Sequence, residues 1–448
     1  MGFLDTIEQF IGKNNLLKRQ GRYLVALSGG ADSVCLLAAL RELDYQTEAV
    51  HCNFHLRGEE SNRDEIFVTD LCKRLNTELH LIHFDTKTYA SLHHVSIEMA
   101  ARELRYRYFE QLRQDLDFDG ICVAHHQNDS VETVLMNLLR GTGIHGLTGI
   151  KPRNGYILRP LLAVSRTEIE DWLKEQGQDY VTDSTNLEAD VMRNKIRLNL
   201  MPLLRDITPA ADDNILTTAR RIGQGAIVYD HAITTALNRL IVSGSNDVPH
   251  PHAGSIDIKA LLNEPSPESI LFEWLHPMHF PPAMIEQISE SLPVLQPGRE
   301  WTSDTHQLTI SQGRLLAEPL QEQRPILRIP EPGTYIYDEH TKIRIQKQDG
   351  RHISTQAGTA SLDAGKVTFP LVIRPVRQGD RFQPFGMKGT KLVSDYLTDR
   401  HLSVFEKRRT LVVCDSQGHI IWLAGHRPDA RYCIDDSTTV TLDFSFFN

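Results

Sequence analysis

The segment Ser28-Gly29-Gly30-Ala31-Asp32-Ser33 lies between an apolar run at 23–27 and an apolar helix start at 34–40. Two glycines allow a tight turn and a close backbone approach to a ligand. The helix that follows offers unpaired N–H groups and a partial positive charge, which together cradle phosphate. The spacing is not that of a Walker A loop, and no lysine follows the glycines. An aspartate beside an anion pocket makes chemical sense when a cation such as Mg²⁺ sits between them, which makes Asp32 the candidate metal ligand. In the competing reading, Asp32 or Ser33 merely caps the helix.

A second cluster is His125-His126-Gln127-Asn128-Asp129-Ser130-Val131-Glu132-Thr133, after an apolar run at 120–124. Asp129 and Glu132 are three residues apart, so two carboxylates in one helical turn could hold an ammonium group or Mg²⁺. One of them could accept a proton from an attacking amine. The alternative is structural, a capping box with Asp129 as N-cap and Glu132 at the third position. The paired histidines read as loop anchors, since no third metal ligand accompanies them. Next, 139–149 carries glycines at 141, 143, 146 and 149, a composition that suits a mobile loop admitting a bulky substrate or an ordinary flexible connection. Arg193 and Arg197 sit one helical turn apart, as do Arg102 and Arg105, a spacing suited to phosphate or carboxylate. Each such pair taken alone also fits an ordinary surface.

These residues need elements to position them. Strands are expected at 23–28, 47–52, 78–83 and 120–124, and helices at 33–43, 61–75, 97–114 and 130–140. That alternation predicts an α/β fold with a doubly wound parallel sheet and ligands at the carboxyl ends of its strands. Both clusters follow strands directly, so they should share one crevice. Ser165-Arg166-Thr167-Glu168 reads as a capping box opening a further helix, and 190–204 as another helical stretch. The alternation then stops. Residues 210–240 look helical, 255–320 mix helices with a hairpin-like end, and strand patterns dominate after Pro325. The domains expected are 1–205, 206–322 (helical) and 323–448 (small, β-rich, α+β).

A chain of 448 residues needs two or three domains. Its six cysteines are scattered with no C-x-x-C pair, as expected of a reducing compartment. No apolar run reaches membrane-span length and the first residues lack a signal-peptide pattern, so a cytoplasmic protein with no membrane partner is expected. The net charge of −10 speaks against nucleic acid, but local balance differs. Residues 151–166 hold Lys151, Arg153, Arg159 and Arg166 with no acid. Residues 193–205 are likewise basic, and 371–409 carry nine basic residues against four acids. Such stripes can hold a phosphate backbone, or be a solvated face balanced elsewhere in the fold.

Taken in order, S-G-G-A-D-S at 28–33, A-R-E-L-R-Y at 101–106 and H-H-Q-N-D-S-V-E-T at 125–133 resemble the tRNA(Ile)-lysidine synthetases. R-G-T-G-I-H-G-L-T-G at 140–149, R-P-L-L at 159–162, D-S-T-N at 183–186 and R-N-K-I-R at 193–197 extend the likeness. It covers about the first 205 residues. A looser match runs through Arg374-Pro375, Arg377, Gly379-Asp380-Arg381-Phe382 and Gly386 to Lys391-Leu392, and the middle matches by position only. Asn128 and Ser130 depart from a family pattern with two aspartates and a glutamine there.

The resemblance implies a PP-loop fold of the adenine nucleotide alpha hydrolase type. It also implies ligation of L-lysine to C2 of the wobble cytidine of a tRNA(Ile) with a CAU anticodon, through an adenylated intermediate. ATP and Mg²⁺ are the implied cofactors. Ser28, Gly29, Gly30, Ala31, Asp32 and Ser33 would bind ATP, with Asp32 on the metal. Asp129 and Glu132 would hold lysine, with Asp32, Asp129, Glu132, Arg102 and Arg105 catalytic. Arg140, Arg193, Arg197, Arg374, Arg377, Arg381, Lys388 and Lys391 would contact phosphates or tRNA, and the resemblance admits a homodimer. Rival classes are an RNA thiolase, which would want paired cysteines, and a small-molecule amidating synthetase, which needs no basic accessory domains. A third is a tRNA-binding module with a dead nucleotide site, which would not need the three acids.

Overall fold

The computed structural model describes residues 2–182, 192–242, 254–294, 298–320, 324–339, 341–356 and 358–447. The chain divides into two units, Met1–His231 and Ala232–Asn448.

The first unit opens with α1 (Phe3–Lys13), an amphipathic helix that buries Ile7 and Ile11. Then come β1 (Arg22–Ala26), α2 (Ala31–Glu42), β2 (Gln46–Asn53), α3 (Glu59–Arg74) and β3 (Leu79–His83). After these follow α4 (Thr86–His93), α5 (Ile97–Asp115), β4 (Gly120–Cys122) and α6 (Gln127–Leu139). A short hairpin, β5 (Arg153–Asn154) and β6 (Ile157–Leu158), leads to α7 (Arg166–Glu175). The unit continues through α8 (Met192–Lys195), a π-helical turn at Ile196–Leu200 and α9 (Met201–Ile207) into α10 (Ala211–Leu240), which ends in the second unit.

The sheet order is β3-β2-β1-β4-β6-β5, parallel except for the β5–β6 hairpin. Strand β1 reads Arg-Tyr-Leu-Val-Ala and has both faces covered, which is why it shows a continuous apolar run and not an alternation. Helix α2 is apolar nearly all round, and Val34, Cys35, Leu36, Leu37, Ala39 and Leu40 have no exposed surface. Burying each large aliphatic side chain there contributes about 2 kcal/mol. The order reverses between β1 and β4, whose residues pair from Tyr23 with Gly120 to Val25 with Cys122. The loops after these two strands therefore lie side by side at the switch point, where open α/β sheets bind ligands.

The second unit carries the expected middle helices, and in addition a five-stranded sheet. Its elements are β7 (Ile241–Val242), β8 (Gly254–Asp257), α11 (Ile258–Leu262), α12 (Pro267–Leu275) and α13 (Pro282–Ser291). Strands β9 (Glu300–Thr302), β10 (His306–Ser311) and β11 (Arg314–Pro319) complete the order β7-β8-β11-β10-β9. The β10–β11 hairpin is the one the sequence suggests. Beyond it lie two four-stranded sheets around Trp422 and Phe444, and a basic segment at 374–409 with short helices Val393–Thr398 and Val404–Arg409.

Candidate active site

Strand β1 passes into the loop 28–33 under tight control. The Leu27 amide donates to the Val50 carbonyl at 2.9 Å, and His51 Nδ1 lies 2.8 Å from the Leu27 carbonyl. Gly29 turns the chain at φ +93°, a conformation that side chains other than glycine's rarely adopt. Ser33 Oγ accepts from the Ser28 and Gly29 amides at 3.1 and 3.2 Å and donates to the Gly30 carbonyl at 3.0 Å. Gly30 is the N-cap of α2 and no side chain caps it, so the capping role considered for Asp32 and Ser33 is not what they do. The first helical bond runs from Val34 to Gly30, which leaves the amides of Ala31, Asp32 and Ser33 without a partner within the helix.

Asp32 is placed by that helix start. Its Oδ2 accepts from Arg166 Nη1 at 2.5 Å, while Oδ1 is buried with no hydrogen-bond partner among the described residues. His126 Nε2 lies 3.8 Å from Oδ1 and 3.5 Å from Asp129 Oδ2. Burial raises the Asp32 pKa, and the charges of His126 and Arg166 oppose that rise. A buried carboxylate oxygen with an open lone pair is what a hard cation takes, so Asp32 fits Mg²⁺.

Helix α6 starts earlier than the sequence suggests. His126 is its N-cap, and Asp129 Oδ2 accepts the His126 amide at 3.0 Å. Asp129 is thus the third residue of the box and not its cap, and Glu132 lies one turn deeper. Glu132 is 2% exposed. Both its oxygens are taken by Arg197, from Nε at 2.7 Å and Nη2 at 3.0 Å, with Arg193 Nε at 3.6 Å. Arg197 Nη2 also lies 3.5 Å from Asp129 Oδ1. Arg193 and Arg197, expected at phosphates, are instead turned onto the acids here. Two buried carboxylates draw the guanidinium groups inward.

The departures from the family pattern are bonded. Asn128 Oδ1 accepts the Arg166 amide at 3.0 Å, and its Nδ2 donates to Asp212 at 2.9 Å. Ser130 Oγ accepts the Ile150 amide at 3.0 Å. Gly149, at φ +73°, makes that approach possible, since a Cβ there would stand 2.4 Å from Ser130 Oγ. The glycine-rich loop holds a 3₁₀ turn at Ile144–Thr148 and is fastened by Asn137 to the Gly146 carbonyl at 2.8 Å. His125 Nδ1 accepts from Arg159 Nε at 3.2 Å, and burial pushes its pKa down to about 4, so the ring is neutral at pH 7.

The starts of three helices, α2, α6 and α7, are tied together at this crevice. The Gln127 amide of α6 donates to Val164 and its side chain to Ala163, which brings α6 against the start of α7. Arg166 then ties α7 to α2 through Asp32.

Arg102 and Arg105 lie exposed on α5, stacked over Tyr106 and Phe54 at 4.9 and 5.1 Å, and bond none of the three acids. Arg140 ends α6, about 16 Å along the axis from Asp129. The motif at 183–186 lies outside the described residues. In the second unit, the Arg374 guanidinium forms a fork on Asp380, both bonds 2.8 Å, and is 11% exposed. Nη1 also donates to the Pro375 carbonyl at 3.1 Å, so this guanidinium is largely engaged within the protein. Lys391 pairs with Asp399. Arg377, Arg381 and Lys388 are exposed, with no side-chain partner among the described residues. Sequence reading missed Arg166, Arg159 and His126 as site residues. The signal for Arg166 was its place directly after the Ser165 cap.

Residues 3–204 match the PP-loop domain family, and 250–320 the TilS substrate binding domain. The tRNA(Ile)-lysidine synthase of Bacteroides thetaiotaomicron is 46% identical over 430 residues, 96% of each chain. That of Parabacteroides distasonis is 43% identical over 448 residues, 99% of each. Among solved structures, the U34-tRNA thiolase NcsA of Methanococcus maripaludis covers 49% of this chain and 78% of its own at 16% identity. Its TM-score of 0.41 is too remote to carry chemistry.

Proposed function

The chain belongs to the tRNA(Ile)-lysidine synthases, and from that membership we propose that it joins L-lysine to an isoleucine tRNA at the expense of ATP, forming lysidine. The observation that carries this to the residues is the shared crevice. The phosphate loop after β1 and the acids Asp129 and Glu132 after β4 meet where the sheet order reverses.

Cytosine O2 is a poor leaving group as it stands, so it is first adenylated. O2 bonds to the α-phosphorus of ATP, and the bond to the bridging oxygen breaks with its electron pair leaving on pyrophosphate. The amides of Ala31, Asp32 and Ser33, unpartnered within the helix, and the adjoining starts of α2, α6 and α7 hold the phosphates there. Asp32 would hold Mg²⁺, which when bound would supply charge neutralisation on those phosphates. The lysine ε-amine, with a pKa of about 10.4 in water, must lose a proton before it attacks C2, and AMP then departs. Asp129 takes that proton, and Asp129 with Glu132 holds the amine. Arg193 and Arg197, turned onto the acids here, would swing from them to steady the phosphates. The target is the wobble cytidine of a CAU anticodon, splayed from its stack beside the loop 140–149. Residues 206–322 and 323–448 grip the tRNA body, with Arg377, Arg381 and Lys388 on its backbone. No helix among the described residues is long and apolar enough to cross a membrane. A tRNA substrate supports a cytoplasmic location.

The test is ATP-dependent incorporation of labelled lysine into an isoleucine tRNA transcript with a CAU anticodon, with methionine tRNA as control. Label in the isoleucine tRNA alone is expected. Pyrophosphate release with another substrate and no label would keep the adenylating fold and discard the substrate.

A further inference from the structure

We propose that Arg166 is a catalytic residue of the adenylation step, donating to the departing pyrophosphate. The proposal rests on the reading above and deepens it.

Three facts about this side chain carry the assignment. Nη1 is 2.5 Å from Asp32 Oδ2, which puts the guanidinium beside the phosphate loop and against the start of α2. Nε is 2.6 Å from Glu170 Oε1, one turn further along α7, so the plane of the fork is fixed from behind. Nη2 has no partner among the described residues, and the side chain is 39% exposed. An arginine clamped at two of its three nitrogens, with the third unpartnered next to an anion-binding loop, has a donor in reserve. Its backbone is also anchored, because the Arg166 amide donates to Asn128 on α6. Arg166 therefore touches all three helix starts that frame the crevice.

Adenylation moves an electron pair onto the bridging oxygen of pyrophosphate, so negative charge grows on the leaving group. No proton need move in this step. A donor already in place meets that charge without the cost of reorganisation, which is where such hydrogen bonds act most strongly. A guanidinium suits the task because its planar fork can hold a carboxylate and a phosphate together, which a lysine ammonium does poorly. While Asp32 keeps Nη1, the free Nη2 takes the phosphate oxygen.

The test uses the full-length enzyme with ATP and tRNA(Ile) in a single turnover, reading pyrophosphate release, and calorimetry with inorganic pyrophosphate alone. Arg166→Ala should slow release on the order of 10²-fold. It should weaken pyrophosphate binding about tenfold, the share of one charge-assisted hydrogen bond. The KM for lysine should stay unchanged. Arg166→Lys should recover part of both losses. Glu170→Gln, which only loosens the fork, should cost less than Arg166→Ala on both readouts, and it serves should the alanine variant fail to fold. Unchanged release and unchanged pyrophosphate affinity in Arg166→Ala overturn the assignment. Slower release with wild-type pyrophosphate affinity also overturns it, since Arg166 would then act only through Asp32. A wild-type enzyme that neither releases pyrophosphate nor incorporates labelled lysine removes the underlying reading instead.

Discussion

Glu132 has both oxygens filled by one guanidinium, and that pairing decides what its neighbours can do. Arg197→Ala would leave a carboxylate of 2% exposure with no hydrogen bond from a guanidinium and only Arg193 Nε at 3.6 Å. The expected cost is about 3 kcal/mol, read as a lower urea midpoint with an unchanged slope. Asp32→Ala should behave differently: adenylation is lost, while tRNA affinity and melting temperature stay close to wild type. His125 makes a pH prediction. Its folded pKa of about 4 lies below the 6.5 of an unfolded histidine. Between those values the unfolded chain binds the extra proton, so stability falls as pH drops from about 6.5 to about 4. The loss amounts to at most about 3 kcal/mol, and His125→Asn should flatten that part of a stability–pH curve. The acids were legible in the sequence because Asp32, Asp129 and Glu132 follow strand-like runs at telling spacings. Their partners were not. Arg166 lies 134 residues from Asp32, and Arg197 lies 65 from Glu132, so only the folded chain pairs them.

At the level of elements, the parallel sheet could be read from alternating apolar runs and helical spacings, since the central strands β1 and β4 are short and largely buried. The start of α6 was misplaced because histidine is not among the favoured N-caps, and Asp129 three residues on was the more obvious candidate. Helix α4 escaped notice because its apolar positions are few, whereas α1 carries Phe3, Leu4, Ile7, Phe10 and Ile11 at helical spacing and was legible but overlooked. The loop 140–149 reads as flexible by composition, yet Gly149 serves close packing on α6. Gly149→Ala is expected to destabilise through its Cβ at 2.4 Å from Ser130 Oγ and through its φ of +73°. In a double-mutant cycle, Ser130→Ala should relieve the first of these and leave the second, so the two losses should be less than additive.

At the scale of the whole molecule, a net charge of −10 coexists with a basic segment at 374–409. The structure separates two kinds of residue within that segment. Replacing Arg377, Arg381 and Lys388 together with alanine should weaken tRNA binding and reduce the salt slope by about 2–3, with melting unchanged. Arg374→Ala should instead lower stability, because the half-buried Asp380 carboxylate would lose its counter-charge and keep only the Arg377 amide at 2.7 Å. The basic excess was visible in the sequence; which of its members are spent on internal ion pairs was not, because Asp380 reads as just another acid in the count. The Arg197–Glu132 pair bears on substrate order as well. An incoming lysine meets a rival tethered to the same chain, at an effective concentration in the millimolar range or above. Lysine alone should therefore bind weakly. Once a nucleotide draws Arg197 toward its phosphates, the rival is withdrawn and the amine gains its seat. The enzyme would then load ATP first and its amino acid second, a sequence that titrating lysine with and without a non-hydrolysable ATP analogue would read directly.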